Sequence, residues 1–113
     1  MNIESITKLV NGNIVTNSNN NQNFTSGLTS DLMSDILTLD ADNGILITGL
    51  NNTQTIRTAE MSDIQCVIIA RDKKVSTEMI SLANQNNISI IESPYTVFRV
   101  SGLLFSNGIN PIY

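Results

Sequence analysis

Four short apolar runs, at residues 24–28, 44–48, 65–70 and 88–91, each lead through a turn into an amphipathic stretch. This repetition leaves few architectures open, because parallel strands need a crossover connection and the usual crossover is a helix. Residues 24–28 lead through Thr29 and Ser30 into 31–39, where Leu32, Ile36 and Leu39 mark a buried stripe. Residues 44–48 lead into a helix over 53–62, with Thr53 as its N-cap and Ile56 and Ala59 facing inward. Residues 65–70 pass through Arg71-Asp72-Lys73-Lys74 into 77–86, where Ile80 and Ala83 pack, and 88–91 pass through Ser93 and Pro94 into 95–106. The chain is therefore expected to be an α/β protein, with a mainly parallel sheet of four to five strands and helices on its faces. Strands of nearly unbroken Val, Ile and Leu agree with burial on both faces.

Ahead of this repeat, Ile3, Ile6 and Val10 stand at helical spacing over 3–10, and Asn11-Gly12 stops the helix with a residue that accepts positive φ. A short strand over 13–16 and an Asn-rich run over 17–23 follow. That run has no apolar period and reads as a surface loop, since its side chains compete with regular backbone pairing. With 113 residues the chain fits a single domain, 1–113.

The formal net charge of −4 provides no basic field for a polyanion, which argues against nucleic acid as a partner. No apolar run reaches the roughly 20 residues of a membrane span, and the first residues lack the pattern of a signal peptide, so a cytoplasmic protein is expected. Cys66 is the one cysteine and, flanked by Gln65 and Val67-Ile68-Ile69, reads as a small buried hydrophobe.

The sequence has no histidine, which removes the commonest general base and metal ligand and leaves acid–base work to carboxylates. Asp31 and Asp35 are four apart, hence on one helical face, where they could flank a hydrated cation or simply start a solvated helix. No GxxxxGK[ST] or GxGxxG pattern occurs. In a parallel sheet, however, the turns after the strands converge on one edge, where ligands bind. These turns hold Gly27, Thr29, Ser30 and Asp31, then Thr48 and Gly49, then Arg71 and Lys73, a set suited either to an anionic or nucleotide ligand or to plain caps and turns. Arg57 gains nothing from its helix dipole and is expected to pair with a carboxylate such as Asp31, Asp35 or Glu60, or else to contact a ligand.

The last helix is apolar nearly all round, with Arg99 its only charge, and Gly102 at its middle permits close approach of another backbone. A homodimer interface through Tyr95, Phe98, Gly102 and Phe105 is expected there, with simple internal packing of the helix as the alternative.

Taken together, Asp31-Leu32-Met33-Ser34-Asp35, Ile45-Leu46-Ile47-Thr48-Gly49, Ile56-Arg57-Thr58-Ala59-Glu60-Met61, Arg71-Asp72-Lys73-Lys74 and Gly102-Leu103-Leu104-Phe105 resemble the DRTGG domain family over roughly residues 3–109. Thr48-Gly49 is a partial echo of the run that names the family, and Arg71-Asp72-Lys73 stands where relatives tend to have Arg-Gly-Lys. More narrowly, the chain looks like the small stand-alone bacterial members encoded near iron-only hydrogenase or related electron-transfer components. The resemblance implies a fold similar to the N-terminal domain of HPr kinase/phosphorylase, without its kinase site. It implies a non-catalytic regulatory or sensing module with no catalytic residues, bound metal or cofactor. An adenine nucleotide is the ligand suggested by the family's company. The shared surface would comprise Asp31, Ser34, Asp35, Thr48, Gly49, Arg57, Thr58 and Arg71. The alternative is an assembly or interaction protein for a redox, hydrogenase-type enzyme complex, motivated by the apolar last helix.

Overall fold

The computed structural model describes residues 1–17, 21–37, 39, 41 and 43–113. The chain runs through α1 (Ile3–Leu9), β1 (Asn13–Ile14), β2 (Ser26–Thr29), α2 (Met33–Ile36), β3 (Gly44–Thr48) and α3 (Thr53–Met61). It continues with β4 (Cys66–Ile69), α4 (Thr77–Gln85), β5 (Ser89–Glu92), α5 (Val97–Ser106) and β6 (Asn110–Pro111). The described strands form one six-stranded sheet in the order β1-β5-β4-β3-β2-β6. The expected α/β class and mainly parallel sheet are borne out: β2, β3, β4 and β5 are parallel neighbours, with Leu28 opposite Leu46 and Ile47 opposite Ile68.

The strand count of four to five needs correction. β1 pairs antiparallel with β5 at one edge, and β6 pairs parallel with β2 at the other. The strand expected over 13–16 forms β1 at Asn13–Ile14 only, whereas β6 was not expected: two residues are too short to carry an alternation, and Pro111 lacks an N–H, which confines it to an edge.

From β2 to β5 the chain advances one strand at a time, and α2, α3 and α4 all lie on one face. There Ile36, Ile56, Ala59, Met79 and Ala83 pack on Leu46, Val67, Ile69 and Ile90. After β5 the connection changes face. Val100 and Leu104 of α5 join Ile6 and Val10 from the N-terminal helix over Ile45, Ile47, Cys66, Ile68 and Ile91. α5 itself carries the chain across β4 and β3, its Ser101 hydroxyl 2.9 Å from that of Thr29 on β2, and the short turn after it places β6 beside β2. β3 and β4 are buried at every position, the outcome expected of strands covered on both faces.

Several local expectations are corrected by specific bonds. The Ser30 hydroxyl accepts from the Leu32 N–H at 3.0 Å, which holds 30–32 in a turn, so α2 covers only Met33–Ile36 rather than 31–39. Leu32 is consequently 58% exposed instead of buried, while Ile36 and Leu39 pack as expected. The cap of α3 is Asn52, whose Oδ1 accepts from the Thr55 N–H at 3.1 Å, and Thr53 is the first helical residue. On α4 the buried pair is Met79 and Ala83, with Ile80 only half-buried. At the end of α1 the positive φ of 52° belongs to Asn11. Gly12 answers a different need: a Cβ there would lie 2.5 Å from Ile91 Cγ2. Residues 18–20 of the expected Asn-rich loop, and Asp40 and Asp42 of the expected 40–43 turn, lie outside the described residues. No helix among the described residues is long and apolar enough to cross a membrane.

Candidate functional site

The parallel strands bring four of the eight expected site residues together. Thr48, fully buried at the end of β3, donates its hydroxyl to Asp31 Oδ1 at 3.0 Å and accepts from the Leu50 N–H at 3.2 Å. The Gly49 N–H also donates to Asp31 Oδ1, at 3.4 Å. Asp31 thus spans the ends of β2 and β3 as an acceptor.

Arg71 completes the group from the end of β4. Arg71 and Asp72 both take left-handed backbone, with φ of 69° and 59°. The turn is held by donation from the Arg71 N–H to Tyr95 O at 2.7 Å and from the Asp72 N–H to Ser93 O at 3.0 Å. Asp tolerates this region better than most residues and Gly better still. The turn lays the Arg71 side chain across Gly49, where a Cβ would come 3.2 Å from Arg71 Cδ and 3.5 Å from Nη1. Gly49 therefore lets the Arg71 side chain lie close over the backbone, and a Cβ there would push that side chain outward by a few tenths of an ångström. The Arg71 guanidinium is exposed and forms no ion pair with a described residue.

The other four expected residues stand elsewhere. Ser34 and Asp35 are exposed on the short α2. Asp31 precedes that helix, so the two aspartates do not share a helical face. Arg57 is exposed on α3 and forms none of the expected ion pairs, a correction that follows from its outward position. Thr58 faces the interior, fully buried, with its Oγ1 lacking a hydrogen-bond partner among the described residues. No group of three described acidic or cysteine side chains could hold a metal ion. Cys66 is buried as expected, and burial pushes its thiol pKa upward.

Two features were not foreseen. Glu92, nearly buried at the end of β5, accepts from the Val75 N–H at 2.8 Å, and Lys74 Nζ lies 3.7 Å from its other oxygen. Lys74 is largely exposed, so the backbone bond is the stronger tether for residues 72–75. The second is a groove of about 500 Å³ between α5 and the β2–β6 edge. Gly27, Ile47 and Ile109 line it together with Phe98, Gly102 and Phe105. Three of the four expected interface residues thus share one surface. Tyr95 stands outside it, its ring 3.6 Å from the Arg99 guanidinium carbon.

The sequence matches the model of the DRTGG domain family over residues 5–106. No curated protein matches it. The fold is similar, with a TM-score of 0.75 and 16% identity, to a crystal structure of the CBS and DRTGG domains of the regulatory region of Clostridium perfringens pyrophosphatase, complexed with the activator diadenosine tetraphosphate. The likeness covers 91% of this chain and 45% of that one, so this chain spans less than half of that region. With the family match running from α1 through α5 and the same fold in a solved region that contains the domain, the chain belongs to the DRTGG domain family.

Proposed function

We propose that the protein is a non-catalytic regulatory module that works as a homodimer and takes a small anionic ligand, an adenine nucleotide, at the C-terminal edge of its sheet. The observation that carries this reading is the Arg71 side chain laid over Gly49 beside the Asp31 carboxylate, with no ion pair to a described residue. A planar guanidinium in that position can grip a phosphate with two hydrogen bonds. A carboxylate nearby can accept from ribose hydroxyls. The similar pyrophosphatase region is complexed with diadenosine tetraphosphate, which supports this ligand class. Homodimerisation through Phe98, Gly102, Phe105 and the adjoining Tyr95 is supported by the exposure of Phe98 and Phe105, at 89% and 69%.

Isothermal titration with AMP, ADP, ATP and diadenosine tetraphosphate tests the reading. Binding to the native chain that is lost in Arg71→Gln supports it, and no heat from any of the four at millimolar ligand refutes it. A second reading, an assembly protein for a redox enzyme complex, is favoured by the same exposed aromatic pair. Co-purification of a stoichiometric redox partner with no nucleotide bound would select it.

A further inference from the structure

Helices pack about 8–10 Å apart and strands about 4.8 Å apart, so one helix covers roughly two strands and a six-stranded sheet accommodates three helices on each face. One face has its three, α2, α3 and α4, whereas the other has only α1 and α5. The strip left over is the groove of about 500 Å³ beside α5, lined from β2 and β6. We infer that the occupant of this groove is α5 of a second copy of the chain, each protomer supplying the third helix that the other lacks.

Three observations select that occupant. First, no side chain lining the groove is charged, so two copies with a formal net charge of −4 can meet here without opposing acidic side chains. Second, the helix bordering the groove carries the face such a groove takes: Phe98, Ser101, Gly102 and Phe105 stand at i, i+3, i+4 and i+7, the anchor spacing of a helix lying in a groove. Third, knob and hole lie on one surface, as a two-fold contact requires: Phe98 and Phe105 protrude, while a Cβ at Gly102 would have nothing within 4 Å. The open Gly102 position lets the partner helix approach closely where the two helices cross.

This inference rests on the homodimer reading and adds which surfaces meet, so its test must separate the two. Sedimentation of the purified chain is compared with Gly102→Trp and Phe98→Glu on the helix and Asn110→Arg in the β6 wall of the groove. All three positions are exposed, so each variant is expected to keep the native circular dichroism melt and to serve as a test of association. The expected result is a dimer whose dissociation constant rises roughly 30-fold or more in every variant. A dimer unchanged by Asn110→Arg overturns the groove assignment while leaving the homodimer reading in place. A monomeric native chain overturns both. Oxidative cross-linking of Gly102→Cys gives an independent check, since Cys66 is buried and cannot compete. A covalent dimer is expected, and its absence in a dimeric sample overturns the crossing at Gly102.

Discussion

The Thr48 hydroxyl donates to Asp31 Oδ1 at 3.0 Å while accepting from the Leu50 N–H at 3.2 Å, so one buried side chain joins the end of β3 to the turn after β2. Thr48→Val keeps the shape but strands the Leu50 N–H and removes a donor from Asp31. A loss of about 1–3 kcal/mol is expected in urea unfolding. Asp31→Asn retains an acceptor oxygen at an exposed position and is expected to cost less than about 1 kcal/mol. Equal losses in the two variants would contradict the assignment of Thr48 as the joint.

The turn after β4 makes a prediction of opposite sign for two substitutions at one position. Asp72 has a φ of 59°, a region that costs most L-residues about 1–2 kcal/mol and glycine almost nothing. Asp72→Val is therefore expected to destabilise by about 1–2 kcal/mol or more, whereas Asp72→Gly is expected to stay within about 0.5 kcal/mol of the parent or exceed it. Equilibrium unfolding of the pair decides. Because the same turn aims Arg71, Asp72→Val is also expected to weaken any nucleotide binding that Asp72→Gly preserves.

How much of this was legible in the sequence depends on the range of the interactions involved. β3 and β4 are visible because every residue from Ile45 to Ile47 and from Cys66 to Ile69 is apolar, and only a strand covered on both faces uses such a run. The meeting of Asp31, Thr48, Gly49 and Arg71 is visible too, since parallel strands send their C-terminal turns to one edge. Spacing alone misplaced Asp35, because the Ser30–Leu32 turn delays α2 and removes Asp31 from its helix. Arg57 misled for a related reason: a helical repeat shows which residues share a face but not whether a carboxylate stands opposite. β6 and the groove were out of reach. Both exist only because α5 carries the chain from β5 across β4, β3 and β2, and no local pattern encodes that crossing.

Thr58 offers a substitution expected to stabilise. Its side chain is fully buried on α3 and its Oγ1 has no hydrogen-bond partner among the described residues, so the fold carries the desolvation of a hydroxyl without a bond from them in return. Thr58→Val replaces the hydroxyl with a methyl of similar size at equal helix propensity. An increase of about 1 kcal/mol is expected, read as a rise in the thermal midpoint. A decrease would show that the hydroxyl is bonded in solution, for example through a water.

Cys66 predicts how stability depends on pH in the alkaline range. The thiol is fully buried, and burial raises its folded pKa far above the unfolded value of about 8.5. Below that pH both states keep the proton and the stability is fully present. Above it the unfolded chain releases the proton while the folded chain retains it, so stability falls by about 1.4 kcal/mol per pH unit until the folded pKa is reached. Cys66→Val removes this contribution. The valine variant is therefore expected to lose less stability than the parent between about pH 8.5 and about pH 10. Urea midpoints of both proteins at successive pH values measure the difference in slope, and parallel curves would mean that the thiol reaches solvent without unfolding.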